Sequence, residues 1–489
     1  MEMDYKSFAS GSDIRGVAVE TKDSPVTLTD SVVYNIACGF AKFLGAPKKR
    51  LKIAVGHDSR ISADRIKTAV ISALSTLGCD TFDCSLSSTP AMFMACADGG
   101  MDAAVQITAS HHPFDRNGLK FFTKNGGLES ADIKKILENA QAGGFETAQT
   151  AGQNQKLDYM KRYAQLLRNI IRKALNSEKP LDGYRFAVDA GNGAGGFYAT
   201  EVLAPLGADV SGSVYLEPDG MFPNHVPNPE DKTAMASISA ATIAAKADLG
   251  IIFDTDVDRA ACVDSGGSEI NRNRLVALAA AIALEGNKGG TIVTDSVTSD
   301  GLKKFIENDL GGVHHRFKRG YKNVINEAIR LNNEGVNSPL AIETSGHAAL
   351  RENYFLDDGA YLITRIVIKL VQLRAQGKTL SQLIEKVALP KEESERRYKI
   401  TKTNFKEYGM QVLAGLECFA KSQNNWQIAD DNREGLRVSC DNGSGWFLLR
   451  LSVHDPIMPL NIESDKNGGV AEIETELTSF FESCEGLAI

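Results

Sequence analysis

Four times along the chain a short apolar run with strand character breaks off into a polar loop. Leu51 to Val55 leads into Gly56-His57-Asp58-Ser59-Arg60, and Ala103 to Ile107 into Thr108-Ala109-Ser110-His111-His112-Pro113. Leu249 to Phe253 leads into Asp254-Thr255-Asp256-Val257-Asp258-Arg259, and Leu340 to Ile342 into Glu343-Thr344-Ser345-Gly346-His347. Helical spacing follows the first loop over Ser62 to Leu77, with Ser62 as the predicted N-cap. Alternating strands and helices predict α/β domains with mixed or parallel sheets, whose ligand-binding loops lie at the carboxyl ends of strands. The last three polar loops fall in successive segments, which predicts three related α/β domains facing one central cleft. Gly-rich or charged stretches place the boundaries at 1–152, 153–267, 268–389 and 390–489. Short strands at Gly435 to Cys440 and Trp446 to Leu451 give the fourth segment an α+β pattern of its own. The charged run Lys391 to Arg397 reads as a linker, or equally as a solvated helix end.

Length changes this picture little, since 489 residues exceed what one hydrophobic core serves and suit three or four domains. A 43% hydrophobic and 24% charged composition is that of a folded chain. The net charge of −8 argues against general binding to nucleic acid or to a membrane surface, both of them polyanionic, so an anionic ligand must be held by local basic pockets. The eight cysteines are scattered and include no C-x-x-C pair, which reads as reduced, buried thiols and points to a reducing, cytoplasmic setting. Met1 to Ser10 hold acids and no apolar stretch of the secretory kind, and the longest apolar run, Leu275 to Leu284, is about half a membrane span and reads as a buried helix.

Two loops carry candidate chemistry. Ser110 follows a buried-looking strand on a tight turn, with His111 and Lys120 near it in sequence. A serine hydroxyl is a poor nucleophile, but once phosphorylated it becomes a phosphoryl donor governed by positioning and charge neutralisation. A polar turn capped by Ser and His is the plainer reading of that loop alone. Asp254, Asp256 and Asp258 alternate along an extended loop, so their carboxylates can converge on one hard cation. A calcium loop would need glycine at the sixth place and glutamate at the twelfth, where Arg259 and Ser265 stand.

Together the two motifs resemble the phosphoserine and magnesium loops of the α-D-phosphohexomutase family. The resemblance runs in order over essentially the whole chain. Ser12-Asp13-Ile14-Arg15-Gly16 is similar to the family's N-terminal phosphate-contacting turn, Glu343-Thr344-Ser345-Gly346-His347 to its sugar-binding loop, and Arg450-Leu451-Ser452-Val453-His454-Asp455-Pro456 to its C-terminal phosphate-binding loop. It implies a reversible phosphoryl transfer between C1 and C6 of a glucose or mannose phosphate, through phospho-Ser110 and a 1,6-bisphosphate that also serves as activator. Mg2+ would be ligated by Asp254, Asp256, Asp258 and the phosphate on Ser110. Lys120 would act as general base or acid, helped by His111 and Arg15, its pKa lowered by surrounding cations. Glu343 and Ser345 would read two adjacent sugar hydroxyls. His347, Arg259, Lys318, Gly320 and Lys322 would complete the substrate site, and Arg450, Ser452 and His454 would bind the non-reacting phosphate. Val453-His454-Asp455 stands where the family commonly has Gly-Thr-Glu, a departure within that pocket.

The implied partner is a small sugar phosphate, and the implied state a monomer or homodimer. Alternatives are a glucosamine or N-acetylglucosamine phosphate mutase, and, from another class, a metal-dependent sugar phosphatase. For Asp58 and Arg60 the expectation is an ion pair that holds the first domain's turn, and for His225 no role emerges.

Overall fold

The structure is a computed structural model and describes residues 4–452 and 455–488. The chain divides into two compact units, one formed by Met1–Leu275 with Ser345–Ser381 and the other by Val276–Thr344 with Gln382–Ile489. Among the described residues no helix is long and apolar enough to cross a membrane.

The first unit opens with a mixed sheet. Its order is Ala9–Ser10, Asp13–Val17, Arg116–Thr123, Ala103–Ile107, Lys52–His57, Asp80–Leu86 and Asn154–Lys156, with Gly126–Gly127 paired to the third of these. Ala103–Ile107 lies between parallel Lys52–His57 and antiparallel Arg116–Thr123 and is buried along its whole length. A strand covered on both faces can carry no polar alternation, and its one polar residue, the buried Gln106, donates from Nε2 to Ser87 O at 2.7 Å. Helices Asp30–Leu44, Ala63–Thr76 and Ser130–Ala142 cover one face through Ile36, Phe40, Ile66, Val70, Ile133 and Ile136. Ser62 precedes its helix as expected but caps nothing, because its Oγ instead accepts a hydrogen bond from Asn117 Nδ2 at 2.9 Å.

A second sheet in the same unit runs Glu269–Ile270, Ala260–Asp264, Leu249–Phe253, Phe186–Asp189, the last two parallel. The segment Ser345–Ser381 contributes the hairpin Ala348–Leu350 with Leu356–Asp357 and the helix Gly359–Arg374. Asp358 caps that helix by accepting from Tyr361 N at 2.8 Å, and Tyr163 Oη donates to the same carboxylate at 2.6 Å.

In the second unit three parallel strands, Val313–Arg316, Thr291–Thr294 and Leu340–Ile342, stand with the predicted buried helix, here Asn273–Leu284. The C-terminal part is an antiparallel sheet ordered Gln427–Ile428, Leu436–Cys440, Gly445–Leu449, Ile457–Ser464, Glu392–Ile400, Leu487–Ala488, backed by helices Phe405–Lys421 and Gly469–Glu482. The linker expected at Lys391 to Arg397 is thus a correction: Glu392–Ile400 is a strand, paired along its length with Ile457–Ser464. Its charged side chains have partners a sequence reading cannot see, Arg396 donating to Glu474 at 2.8 Å and Tyr398 stacking on Phe481 with ring centroids 4.3 Å apart. Arg437, buried, binds this sheet to the parallel strands: its guanidinium lies 3.5 Å from the Trp446 ring centroid and donates to Asp300 at 3.0 Å. Arg316 meets the same Asp300 at 2.6 Å and Asp431 at 2.7 Å.

Candidate active site

Ser110 sits on the turn after Ala103–Ile107, at the carboxyl edge of the first sheet, with φ of 50°. That left-handed conformation is uncommon for a residue with a Cβ and marks a turn held by its surroundings. The turn is secured by Thr108 Oγ1, which accepts from Ser110 N at 2.9 Å, and by Arg15, whose Nη1 donates to Thr108 O at 2.9 Å. Ser110 Oγ faces the acidic loop, donating to Asp254 Oδ2 at 3.0 Å and accepting from Arg259 Nη2 at 3.1 Å.

The acidic loop turns through Val257, whose φ of 70° is rarer still for a β-branched residue. Two clasps hold it: Gly359 N donates to Val257 O at 3.1 Å, and Thr89 donates to Asp256 through its N at 2.8 Å and its Oγ1 at 2.5 Å. Asp254, Asp256 and Asp258 are buried, and one carboxylate oxygen from each lies within 4.8 Å of the others. Oδ1 of Asp256 and of Asp258 has no hydrogen-bond partner. Buried carboxylate oxygens with nothing to accept from, converging in an all-oxygen set, fit a hard divalent cation.

Lys120 reaches this cluster from the adjacent strand and donates to Asp256 Oδ2 at 3.0 Å and Asp258 Oδ2 at 2.5 Å. Where cations were expected around Lys120, two of its hydrogen-bond partners are carboxylates. His111 stands beside the serine, its Nδ1 3.3 Å from Ser110 Oγ. Burial first, then the nearby Arg259, push its pKa down to about 2, and its Nδ1 accepts from Arg259 Nη2 at 2.6 Å, so it is a neutral acceptor. Within the triplet, burial and the neighbouring Asp258 raise Asp254 well above the usual carboxylate range. Asp258 is held well below that range: burial opposes it, but Lys120, His347 and Arg259 outweigh burial.

His347 joins the same cluster. Its Nδ1 is 2.6 Å from Asp357 Oδ2 and 3.9 Å from Asp258 Oδ1. Burial would lower its pKa, yet Asp357 and then Asp258 carry it up to about 9. The neighbouring Gly346 is required: at its φ of 96° a Cβ would stand 2.7 Å from Ala260 O, where the loop passes against the strand Ala260–Asp264. Ser345 is buried beside it in sequence.

The second unit holds the other expected substrate residues. Glu343 is buried and accepts from Gly320 N at 2.6 Å. Lys318 is exposed and Lys322 half-buried. The Arg450 guanidinium has a buried Nε without a partner, and burial and then the positive Arg319 lower its pKa. Two repelling guanidinium groups suit an anion between them. Ser452 Oγ accepts from Asp455 N at 3.3 Å, while His454 lies outside the described residues.

Three residues escaped the sequence reading. Thr89 and Asp357 have no local signature beyond a helix start and an acid pair, and Arg319 stood in a noted basic run without being singled out. Arg60 does face Asp58, with Nε 3.3 Å from Oδ2, but its two Nη groups serve the Ser110 turn. His225 finds a structural place, its Nε2 3.0 Å from Asp189 Oδ2 and its Nδ1 2.9 Å from Val226 O.

A buried serine facing three converged aspartates and their cationic partners, on α/β domains that present loops at strand ends, defines a phosphoryl-transfer enzyme. Models of the phosphoglucomutase/phosphomannomutase family match its alpha/beta/alpha domain I at residues 8–147, domain II at 159–267 and domain III at 271–389. A phosphomannomutase/phosphoglucomutase of Pseudomonas aeruginosa is 30% identical over 86% of this chain and 86% of its own. A phosphoglucomutase of Neisseria meningitidis is 28% identical over 96% of both chains. The chain belongs to the phosphoglucomutase/phosphomannomutase family, with three α/β/α domains and a fourth domain after them. A crystal structure of a family protein from Burkholderia thailandensis shares the fold, with a TM-score of 0.81 at 24% identity over 99% of this chain and 98% of that one.

Proposed function

We propose that the protein moves a phosphoryl group reversibly between C1 and C6 of glucose and mannose phosphates, with Ser110 as the carrier. The observation that carries the reading is the placement of Ser110 Oγ, buried between Asp254 Oδ2 and Arg259 Nη2. In the first transfer the bond from phosphorus to Ser110 Oγ breaks and a bond to the free sugar hydroxyl forms. Lys120, acting as an ammonium, gives a proton to Ser110 Oγ and is replenished by the one the sugar hydroxyl loses. The bisphosphate then presents its other phosphate and the same steps run in reverse. Arg259 and the Ser110 turn hold the oxygen in line, which is most of what such a transfer asks of a protein.

Asp254, Asp256, Asp258 and phospho-Ser110 would hold Mg2+, whose contribution when bound is to neutralise charge on the phosphoryl oxygens. Glu343 and Ser345 would accept and donate to two vicinal sugar hydroxyls, and Arg319 and Arg450, with Ser452, would bind the non-reacting phosphate. In this reading residues 1–152 carry the nucleophile, 153–267 the acidic loop, 268–389 the diol reader and 390–489 the phosphate pocket.

The test is incubation with glucose 1-phosphate or mannose 1-phosphate, a trace of hexose 1,6-bisphosphate and Mg2+. Formation of the 6-phosphate without free phosphate, dependent on the bisphosphate and abolished by Ser110→Ala, is expected for both sugars at comparable rates. Unimpaired turnover by Ser110→Ala would refute the carrier role, and stoichiometric release of phosphate would make the protein a phosphatase. A rate ratio beyond about a hundredfold between the sugars, nearly 3 kcal/mol in transition-state energy, would show that C2 is read.

A further inference from the structure

Arg60 is 2% exposed; its Nε lies 3.3 Å from Asp58 Oδ2, and its two Nη groups are committed to main-chain oxygens of one loop. Nη2 donates to Ser110 O at 2.5 Å and His112 O at 2.6 Å, and Nη1 to Pro113 O at 2.6 Å and Arg116 O at 2.9 Å. Four carbonyl dipoles aimed at one point repel one another and are stable only around a convergent set of donors, which the planar guanidinium supplies. They bracket the turn on which Ser110 takes its φ of 50°. That conformation directs Oγ at Asp254 and Arg259, and nothing in the local sequence favours it: no glycine or asparagine stands there.

The back of Arg60 is covered by another part of the chain. The Phe222 ring lies 5.2 Å from the guanidinium carbon, a cation–π arrangement. Phe222 itself has a φ of 50°, on the turn in which its N donates to Asp219 O at 3.0 Å. That turn seats directly on the Arg60 loop, since a Cβ on Gly220 would come within 2.4 Å of Ile61 N and of Ser59 O. Arg60 is thus sandwiched between the serine turn and a turn that follows the strand Phe186–Asp189.

We propose that Arg60 is the positioning residue that holds Ser110 in its left-handed, transfer-ready conformation, and that the Phe222 turn fixes Arg60 in place. Arg60 touches neither Ser110 Oγ nor the acidic triplet through these bonds; it acts through the backbone of the loop. This assignment rests on the reading of Ser110 as the phosphoryl carrier.

The experiment compares Arg60→Lys and Phe222→Leu with the wild type by steady-state kinetics on glucose 1-phosphate and by amide hydrogen exchange. An ammonium cannot span four carbonyls. Arg60→Lys is expected to lower kcat about a hundredfold with KM changed less than about threefold, because substrate contacts remain and alignment is lost. Exchange at Ser110, His112 and Arg116 should quicken at least about tenfold while the strand Thr291–Thr294 keeps its protection. Phe222→Leu retains apolar cover without the ring face and should move both readouts the same way, with kcat lower by about three- to tenfold. Arg60→Lys with kcat within threefold of the wild type, or with unchanged exchange in the loop, would overturn the proposal. Should Arg60→Lys not fold, Phe222→Leu decides: quickened exchange in the serine turn supports the clamp and wild-type exchange rejects it. A wild type that does not interconvert hexose phosphates defeats the carrier reading instead, and the exchange data still report whether Arg60 orders the turn.

Discussion

Lys120 donates to Asp258 across 2.5 Å, with 6% of the lysine side chain and 2% of the aspartate exposed. The pair joins a strand of the first sheet to the acidic loop of the second, and the Lys120 ammonium and the Arg259 guanidinium are counter-charges to the Asp254, Asp256, Asp258 cluster. Removing one member of a buried pair leaves an uncompensated charge and costs about 3–5 kcal/mol. Lys120→Met should therefore lose about that much stability in EDTA, read by urea denaturation. Mg2+ should restore more to the variant than it adds to the wild type, because the cation no longer competes with an ammonium. Equal gains from Mg2+ in both proteins would show that Lys120 and the metal do not share the carboxylates.

Arg259 spans the reacting oxygen and its neighbour, with Nη2 3.1 Å from both Ser110 Oγ and Asp254 Oδ2 and Nε 3.2 Å from Asp254 Oδ2. A lysine there would keep the charge and lose the fork. Arg259→Lys should lower kcat by about 10² while changing KM for the hexose phosphate little, as expected for a group that acts on the serine and not on the bound sugar. A raised KM at unchanged kcat would place Arg259 on the substrate instead.

The His347 imidazole has a folded pKa of about 9, above the value near 6.5 of an unfolded histidine. A raised folded pKa stabilises fully below the unfolded value, and that contribution fades as pH climbs through the folded one. The stability gap between wild type and His347→Gln should be widest at about pH 6, narrow between roughly pH 6.5 and 9, and level off above it, with the change on the order of 2–3 kcal/mol. Denaturant midpoints across this range measure it, and a flat gap would mean that His347 stays neutral.

Glu463 gives the same sign for a different reason. Burial raises its pKa to about 7 against the pull of Arg437 and the hydrogen bond from Trp446 Nε1, which is 3.0 Å long. An acid that prefers its proton in the folded state loses stability as pH rises from its unfolded value through about 7. Glu463→Gln keeps an acceptor for Trp446 and has no charge to bury. It should match the wild type near pH 4.5 and exceed it by on the order of 3 kcal/mol at pH 8. A variant less stable than the wild type at pH 8 would show that the ionised carboxylate is needed by Arg437.

What the sequence determined by itself is whatever depends on neighbours along the chain. Ala103–Ile107, Leu249–Phe253 and Leu340–Ile342 are strands because apolar runs of that length bounded by polar turns have few other uses, and their ends mark the loops of Ser110, the aspartates and Glu343. The convergence of Asp254, Asp256 and Asp258 was legible for the same reason, as a spacing within one loop. Tertiary structure decided what depends on groups distant in sequence. Glu392–Ile400 is a strand because Ile457–Ser464 pairs with it and Glu474 answers its arginine. Lys120 meets carboxylates, and His111 is a neutral acceptor beside a guanidinium, because groups from more than a hundred residues away surround them. Thr89, Asp357 and Arg60 gained their roles in the same way. Charge state and positioning are set by burial and by Coulomb interactions that fall off with distance in space, and distance in space is what folding alone assigns.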